Sequence, residues 1–333
     1  MRIAINGFGR IGRSFLRTIM QDEKSRKLID VAVVNIGPAR IDNIGYMFKY
    51  DTIMGTYPGR VEFKDSYLIV DDKKIKIVSE CEPQDIGWKK NDIEWVVDCS
   101  GCFTHRKDAQ KHLDAGAQCV LISAPSHDED VCVVPGVNDF AFNKDNHKIV
   151  SLGSCTTNAF LPILHVLHQE FGIEKGVMTT IHAYTNTQVL LDVENSGDVR
   201  RSRAAALNII PTTTGAARLV GKIIPELEGL VKAVAIRVPV GDVSLIDFTF
   251  NARVPITTEK INNAFIAASK KHPNIIAHTN EPLVSSDYIG SRYSVTIDGL
   301  MTGAHEGVGK VFGWYDNEWG YSCRLRDFLL STL

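Results

Sequence analysis

The sequence predicts an α/β protein with two domains. A doubly wound domain built on a parallel sheet comes first, and an α+β domain with a mostly antiparallel sheet follows. In the first half, short apolar runs alternate with amphipathic ones, which is the pattern of buried parallel strands joined by helices. In the second half, long strand candidates follow one another directly, which favours antiparallel pairing. A chain of 333 residues is long enough for two cores.

The elements of the first half follow from their apolar patterns. Buried strands are predicted over residues 2–6, 31–35, 95–99 and 119–123, and helices over residues 9–20 and 106–115. Residues 61–78 alternate differently and contain the turn Val70-Asp71-Asp72-Lys73, which predicts a hairpin inserted at the side of the sheet. We expect the first domain to comprise residues 1–154.

The second domain is expected over residues 155–317. Its strands are predicted at residues 177–185, 230–240 and 244–254, and helices at residues 214–224 and 258–271 are expected to cover one face of the sheet. The last amphipathic stretch predicts a C-terminal helix within residues 318–333 that packs back on the first domain.

Net charge, apolar stretches and the number of cysteines indicate which partners and which compartment to expect. The net charge of −2 and the absence of a charged tail argue against binding to nucleic acid or to an anionic membrane. Met1 leads directly into a strand pattern, and no apolar stretch approaches the ~20 residues of a membrane span. Seven cysteines, an odd number, suggest reduced thiols in the cytoplasm rather than a disulfide framework.

A glycine-rich turn connects the first strand to the first helix. In Gly7-Phe8-Gly9-Arg10-Ile11-Gly12, the first glycine permits a tight turn, the second lets the backbone approach a pyrophosphate, and the third allows close packing of helix and strand. The phosphates then lie at the helix N-terminus. This context predicts a Rossmann-type dinucleotide site, against the alternative of glycines in an ordinary turn.

The acidic residue that usually binds the adenosine ribose is missing. Only Asn35 is available at the end of the second strand, and an amide can bond a ribose hydroxyl without repelling a 2′-phosphate. Arg40 lies near enough in sequence to meet such a phosphate, although a solvated loop arginine is the simpler interpretation. NAD is the expected cofactor, and NADP stays open.

Cys155 is the candidate nucleophile. It lies at a predicted strand-to-helix junction, where the positive end of a helix favours thiolate over thiol. His182, on a predicted strand and followed by Thr185-Asn186-Thr187, is the candidate base, although one of ten histidines is by itself more often structural.

Two clusters suit anions. Thr212-Thr213-Thr214-Gly215 precedes a helical pattern and offers hydroxyls and free backbone N–H groups, although an ordinary N-cap is as good an explanation. Arg237 ends an apolar strand and therefore needs an anion or a carboxylate partner. The pair Arg200-Arg201 has a solvated surface as its simpler explanation. Cys99-Ser100-Gly101-Cys102 lacks a second cysteine pair at zinc-finger spacing, so we expect no metal site.

Four motifs, in order along the chain, resemble one family. They are Asn6-Gly7-Phe8-Gly9-Arg10-Ile11-Gly12-Arg13, Ser154-Cys155-Thr156-Thr157-Asn158, Pro211-Thr212-Thr213-Thr214-Gly215-Ala216-Ala217 and Trp314-Tyr315-Asp316-Asn317-Glu318-Trp319-Gly320-Tyr321. Together they resemble the phosphorylating glyceraldehyde-3-phosphate dehydrogenases. The set is far more specific than any single motif.

The resemblance implies roles for individual residues. Cys155 would add to the aldehyde of glyceraldehyde 3-phosphate, and His182 would activate it. The substrate's own phosphate would be held by Thr185, Thr187 and Arg237, and attacking inorganic phosphate by Ser154, Thr156, Arg201, Thr214 and Gly215. The cofactor would be contacted by Asn6, Gly7, Phe8, Gly9, Arg10, Ile11, Asn35, Ser100, Gly101, Ser123, Asn317 and Tyr321.

The resemblance also implies a homotetramer in which the loop over residues 184–204 helps line a neighbour's cofactor site. The chain departs from the family at four positions: Ile36 replaces the ribose-binding Asp, Glu194 a loop Pro, Cys81 a basic residue near the adenine, and Ala159 a second cysteine. Two alternatives stay open. One is erythrose-4-phosphate dehydrogenase, which hydrolyses its thioester, and the other is a non-catalytic nucleotide-binding redox sensor.

Overall fold

The computed structural model describes residues 1–194 and 197–333. The chain divides into two compact units. The first unit consists of Met1–Val133, Asn138–Gly153 and Ser322–Leu333, and the second of Val134–Val137 and Ser154–Tyr321. Residues 195 and 196, which belong to the loop expected to reach a neighbouring subunit, lie outside the described residues.

The first unit is built on one nine-stranded sheet with helices between its strands. The strands are β1 (Arg2–Asn6), β2 (Asp30–Asn35), β3 (Val61–Lys64), β4 (Tyr67–Val70), β5 (Lys73–Val78), β6 (Trp95–Asp98), β7 (Cys119–Ile122), β8 (Val131–Cys132) and β9 (Ile149–Ser151). The α-helices are α1 (Arg10–Met20), α2 (Glu23–Leu28), α3 (Ile44–Lys49), α4 (Pro83–Ile86) and α5 (Arg106–Asp114).

The strand order is β3-β4-β5-β2-β1-β6-β7-β9-β8, and every pairing from β5 to β8 is parallel. The central strands are continuous apolar runs because both of their faces are buried. The carboxyl ends of β1, β6 and β7 consequently lie along one edge of the sheet, where a Rossmann-type domain binds its ligand.

The segment after α3 differs from the predicted hairpin. Residues 61–78 form three strands, because a second turn at Asp65 and Ser66 precedes the predicted one. Both residues have positive φ, as the tight turns of hairpins require. The third strand, β5, then pairs in parallel with β2 and extends the main sheet.

The second unit contains a second sheet of eight strands. They are β10 (Ile173–Ala183), β11 (Ile210–Thr213), β12 (Val231–Val238), β13 (Ser244–Ala252), β14 (Ile276–Thr279), β15 (Val295–Asp298), β16 (Gly303–His305) and β17 (Val308–Tyr315). Five pairings are antiparallel, and two, β10 with β12 and β14 with β15, are parallel. The predicted fold class, a Rossmann-type domain plus an α+β domain with a mostly antiparallel sheet, is therefore confirmed.

Helices cover one face of this sheet. They are α6 (Cys155–Phe171), α7 (Ala216–Ile223) and α8 (Thr258–Lys271). Alternate residues of β13 are buried against them, and the ring of Phe248 meets that of Phe160 edge-on at 5.1 Å between centroids. This packing fixes α6, and with it the position of Cys155 at the helix start.

The last helix, α9 (Trp319–Ser331), lies in the first unit from Ser322 onward. There the ring of Phe328 packs edge-on against Trp95 and Phe142, at centroid distances of 5.8 and 5.1 Å. Arg326 also donates a hydrogen bond to the carbonyl of Thr18, at 3.3 Å. Across the described parts of the chain, no helix combines the length and the apolar character that a membrane crossing needs.

Candidate active site

Cys155 is the first residue of α6. The preceding Ser154 has an extended backbone and caps the helix, because its Oγ accepts a hydrogen bond from the N–H of Thr157 at 3.1 Å. Burial raises the pKa of the Cys155 thiol, whereas the charge of Arg237 and hydrogen bonds from Thr156 lower it. The helix N-terminus adds a further positive potential that favours the thiolate.

His182 lies beside this thiol. Its Nε2 is 3.6 Å from the Sγ of Cys155, and the side chain is only 3% exposed. Its Nδ1 is 2.7 Å from the carbonyl of Ala183 and 2.6 Å from Nη1 of Arg237. A carbonyl only accepts, so we assign the proton to Nδ1, which donates it to Ala183. Arg237 only donates, so its Nη1 then bonds the same carbonyl, at 2.9 Å, and not Nδ1. Nε2 then presents its lone pair to the thiol, as a base must.

Arg237 reaches His182 through the register of two strands. Strands β10 and β12 are parallel, and His182 is paired with Arg237. Burial and the neighbouring guanidinium lower the pKa of His182 to about 3. The imidazole is therefore neutral at neutral pH, and its low pKa makes it a weak base as long as no anion offsets the guanidinium charge.

The side chain of Tyr315 packs against His182. Its hydroxyl is 3.1 Å from Oγ1 of Thr156 and 2.8 Å from Oγ1 of Thr180, and its ring meets that of His182 edge-on. The hydroxyl of Thr156 is buried against Tyr315, so only the backbone of Thr156 is left for its predicted place in the phosphate site, which stays a prediction. Tyr315 lies in the fourth family motif, and its neighbours along the chain do not predict these contacts.

The predicted anion-binding side chains lie on several elements of the second unit. The hydroxyls of Thr185 and Thr187 are 2.9 Å apart. Thr187 and Arg201 line a cleft of about 1080 Å³ together with Arg200, Thr212 and Thr213. Neither Cys155 nor His182 is among its lining residues.

Two of the cations interact. Burial lowers the pKa of Arg237, and the positive charge of Arg201 lowers it further. Arg201 has a partial counter-charge in Asp198, with 3.7 Å between Nε and Oδ2. A bound anion would relieve this repulsion between guanidinium groups. The sequence motif Thr214-Gly215 lies directly before α7, where the hydroxyl of Thr214 accepts from the N–H of Ala216 at 3.3 Å.

The glycine turn of the first unit has the shape that a pyrophosphate needs. Gly7 has φ +92°, and a Cβ there would lie 2.5 Å from the nitrogen of Ser100. A Cβ on Gly12 would lie 2.2 Å from the carbonyl oxygen of Gly7. A Cβ on Gly9, in contrast, would meet nothing within 4 Å. The first and third glycines therefore allow close packing, and the second leaves the start of α1 open.

Other predicted cofactor residues of this unit use their side chains internally. Arg10 forms an ion pair with Asp51, and the ring of Phe8 is buried against Phe48. Asn6 donates to Asp98 at 2.7 Å, and the hydroxyl of Ser100 donates to the same carboxylate at 2.8 Å. Ile11 lies in the first turn of α1, while Gly101, at φ +72°, and Ser123 follow β6 and β7 at the edge of the glycine turn.

Asn35 requires a correction. Its side chain is 3% exposed, its Nδ2 donates to Asn6 and to the carbonyl of Glu80, and its Oδ1 accepts from the N–H of Glu80. The predicted contact between its amide and the ribose is therefore not available, because the sheet edge already uses it. Ile36 and Arg40 follow at the same end of β2, and Arg40 is exposed.

The remaining two cofactor predictions, Asn317 and Tyr321, fall in the second unit. Asn317 is buried, and its Oδ1 accepts a hydrogen bond from Oγ of Ser244 at 2.8 Å. That hydroxyl also accepts from the N–H of Ala183, at 3.1 Å. Ser244 was not anticipated, because only the register of β13 against β17 brings it to Asn317.

The glycine turn and the pair of Cys155 and His182 define a class, a nicotinamide-dependent dehydrogenase with a thiol nucleophile. Residues 1–106 match the family domain described as "Glyceraldehyde 3-phosphate dehydrogenase, NAD binding domain", and residues 154–317 match the corresponding "C-terminal domain". The chain belongs to the glyceraldehyde-3-phosphate dehydrogenase family.

Curated bacterial relatives match over almost the whole chain. Glyceraldehyde-3-phosphate dehydrogenase 2 of Bacillus subtilis is 43% identical over 331 residues, covering 99% of this chain and 96% of the relative. Glyceraldehyde-3-phosphate dehydrogenase 2 of Streptomyces avermitilis is 44% identical over 329 residues, covering 98% and 97%. The enzyme of Zymomonas mobilis is 44% identical over 331 residues, with the same coverage.

Proposed function

We propose that this protein catalyses the reversible oxidative phosphorylation of glyceraldehyde 3-phosphate to 1,3-bisphosphoglycerate through a thioester on Cys155. The observation that carries this proposal is the distance of 3.6 Å between the thiol and the Nε2 lone pair of His182, with Arg237 behind the imidazole. The names of the relatives support the same substrate.

The chain's own residues perform the covalent steps. His182 accepts the thiol proton, the thiolate of Cys155 adds to the aldehyde carbon, and the imidazolium returns the proton to the resulting oxyanion to give a hemithioacetal. Its oxygen lies near the N–H groups that begin α6, which stabilise developing negative charge. Removal of the hydroxyl proton by His182 and of a hydride leaves a thioester. Inorganic phosphate then attacks the acyl carbon, and the thiolate departs.

The first unit fits the dinucleotide. Gly9, which has open space where a Cβ would lie and no side chain to cap α1, and a first helical turn without acidic side chains match a pyrophosphate. When bound, the oxidised nicotinamide supplies the hydride acceptor. Asn317 would hold the nicotinamide amide, since the bond from Ser244 fixes its carboxamide orientation.

Two groups of side chains would hold the anions. Arg237 with Thr185 and Thr187 would bind the substrate's phosphate, which would also offset the charge that faces His182. Arg201, Ser154, Thr214 and Gly215 would bind inorganic phosphate, together with the backbone N–H of Thr156. Repulsion between Arg201 and Arg237 supports anion binding at both places.

The test of the proposed function is the phosphate requirement. Turnover with glyceraldehyde 3-phosphate should require inorganic phosphate or arsenate, because the thioester needs an oxyanion to accept the acyl group. Initial rates with and without phosphate measure this, and erythrose 4-phosphate serves as the comparison substrate. Phosphate-independent oxidation of the four-carbon sugar would instead favour erythrose-4-phosphate dehydrogenase.

NAD is proposed as the working cofactor, with tolerance of NADP. The end of β2 presents Ile36 rather than a carboxylate, so nothing there repels a 2′-phosphate. We expect Ile36→Asp to raise the preference for NAD over NADP about 10- to 100-fold, the range given by one unfavourable charge pair.

Comparison of kcat/KM for the two cofactors checks this expectation, and Ile36→Asn is the matched control without charge. A wild-type preference for NAD of several thousandfold, or an Asp variant that behaves like the Asn variant, would show that residue 36 does not set cofactor choice.

We also propose a homotetramer in the cytoplasm. Large apolar side chains are exposed on the second unit, which supports burial against other subunits; they include Leu190, Leu191, Val199, Leu207 and Ile209. All seven cysteines are free thiols, which supports a reducing compartment.

A further inference from the structure

Two buried carboxyl groups face each other beyond the end of the β13–β17 ladder. Ser244 and Tyr315 form the last pair of that ladder. Asp242 lies just before Ser244 in the chain, and Asp316 directly follows Tyr315. Asp242 is 4% exposed and Asp316 is 1% exposed. Each of the two carboxyl groups shifts the pKa of the other, which makes them neighbours in this buried region.

The two carboxyl groups have unequal surroundings. Asp316 accepts three backbone N–H bonds, from Gly290 at 2.7 Å, Glu318 at 2.9 Å and Trp319 at 2.6 Å. Among the described residues, no donor meets full hydrogen-bond geometry at either carboxyl oxygen of Asp242, and the N–H of Val243 is the one backbone donor that lowers its pKa. Two buried like charges in contact do not both ionise, so Asp316 takes the charge and Asp242 keeps a proton that it donates to Asp316.

The pKa shifts of the two carboxyl groups agree with this assignment. Burial, followed by the charge of Asp316, raises the pKa of Asp242 to about 9. Burial also raises the pKa of Asp316, but only to about 6, because the backbone N–H groups stabilise its charge. At neutral pH the pair therefore carries one proton, on Asp242.

The backbone between this pair and the proposed cofactor ligand is strained. Val243 has φ +66°, a left-handed conformation that a β-branched residue adopts only when its surroundings hold it there. The next residue, Ser244, donates to Oδ1 of Asn317, which directly follows Asp316. The carboxyl pair and the Ser244–Asn317 bond thus join the same two segments at adjacent positions.

We propose that Asp242 is a positioning residue, whose proton, shared with Asp316, holds the turn before β13 against the segment after β17 and so fixes Ser244 and Asn317 for the nicotinamide. The inference rests on the proposed function for the identity of the ligand. Because Val243 is held in a strained conformation, we expect the turn to relax when the shared proton is lost.

Alkaline pH provides the means to remove that proton. Within the described parts of the chain, Asp242 interacts electrostatically with Asp316, Glu318 and Cys155, whose charged forms are all negative. Ionised Asp242 would therefore repel Asp316 and oppose the thiolate of Cys155. The affinity for NAD should then fall as Asn317 loses its fixed orientation.

The experiment measures NAD affinity by calorimetry from about pH 6 to about pH 10, in a Cys155→Ser background that removes the thiol titration. For the protein with Asp242, the dissociation constant should rise about tenfold per pH unit above the transition, as one-proton linkage requires. In Asp242→Asn the amide donates to Asp316 at every pH, so affinity should match at neutral pH and stay constant.

Two further variants complete the test. Asp247→Asn, which removes a carboxylate of β13 paired with Lys310, should retain the alkaline loss of affinity. Asp242→Ala should bind NAD weakly at all pH values while circular dichroism shows a folded protein. An alkaline loss that persists in Asp242→Asn would overturn the proposal, as would Asp242→Ala binding NAD normally. Because the readout is binding, these outcomes are independent of whether turnover requires phosphate.

Discussion

Replacing Cys155 by serine is expected to lower kcat for glyceraldehyde 3-phosphate by at least about 10⁴-fold, as loss of a covalent nucleophile does in other enzymes. A serine hydroxyl is far harder to ionise than a thiol, and neither the start of α6 nor a neutral His182 supplies that difference. NAD should still bind, because the glycine turn lies in the other unit.

Steady-state rates and an NAD titration check both parts of this prediction. Cys102→Ser is the matched control, since Cys102 is an exposed thiol of the first unit with no role in the proposed chemistry. Near-normal turnover of Cys155→Ser would refute the assignment of the nucleophile.

Replacing His182 by glutamine should lower kcat about 10²- to 10⁴-fold, the usual contribution of a general base. Glutamine cannot accept the thiol proton, so alkylation of Cys155 by iodoacetamide at neutral pH should also slow. His165→Gln is the matched control, since His165 lies in the second half of α6 whereas Cys155 begins that helix. Alkylation at the wild-type rate in His182→Gln would indicate that the helix N-terminus and Arg237 activate the thiol without the imidazole.

The same substitution should change the pH dependence of stability. The folded protein keeps His182 neutral down to a pKa of about 3, whereas the ordinary value is 6.5. Between these values the unfolded chain binds the proton that the folded chain does not, so this contribution to stability is complete above pH 6.5 and falls as the pH decreases. Urea unfolding of wild type and His182→Gln at neutral and mildly acidic pH compares the slopes, and the variant's should be shallower.

The sequence predicted those features that depend on neighbouring residues. The continuous apolar run of β1, the glycine turn after it and the position of Cys155 at the start of α6 are local patterns, and each has its physical reason within about ten residues of chain. The meander of β3 to β5 was missed because its first turn, at Asp65 and Ser66, lacks the glycine that usually indicates such a turn.

Features that depend on register were beyond reach of the sequence. The internal bonding of Asn35 arises from its neighbours across the sheet, Asn6 and Glu80, which are distant along the chain. The contact of Arg237 with His182 likewise joins two different strands, and the interaction of Asp242 with Asp316 joins the segments that flank β13 and β17. Periodicity identifies a strand without fixing its partner or its register.

The pairing of His182 with Arg237 across β10 and β12 affects how this protein can tolerate change in length. The 47 residues from Tyr184 to Leu230 connect these two strands, so insertions in this segment leave His182 and Arg237 aligned. Deletion of one residue within β12, before Arg237, would turn the guanidinium to the opposite face of the sheet. The alignment of His182 with Arg237 therefore tolerates insertions between the two strands and is vulnerable to a single-codon loss within β12.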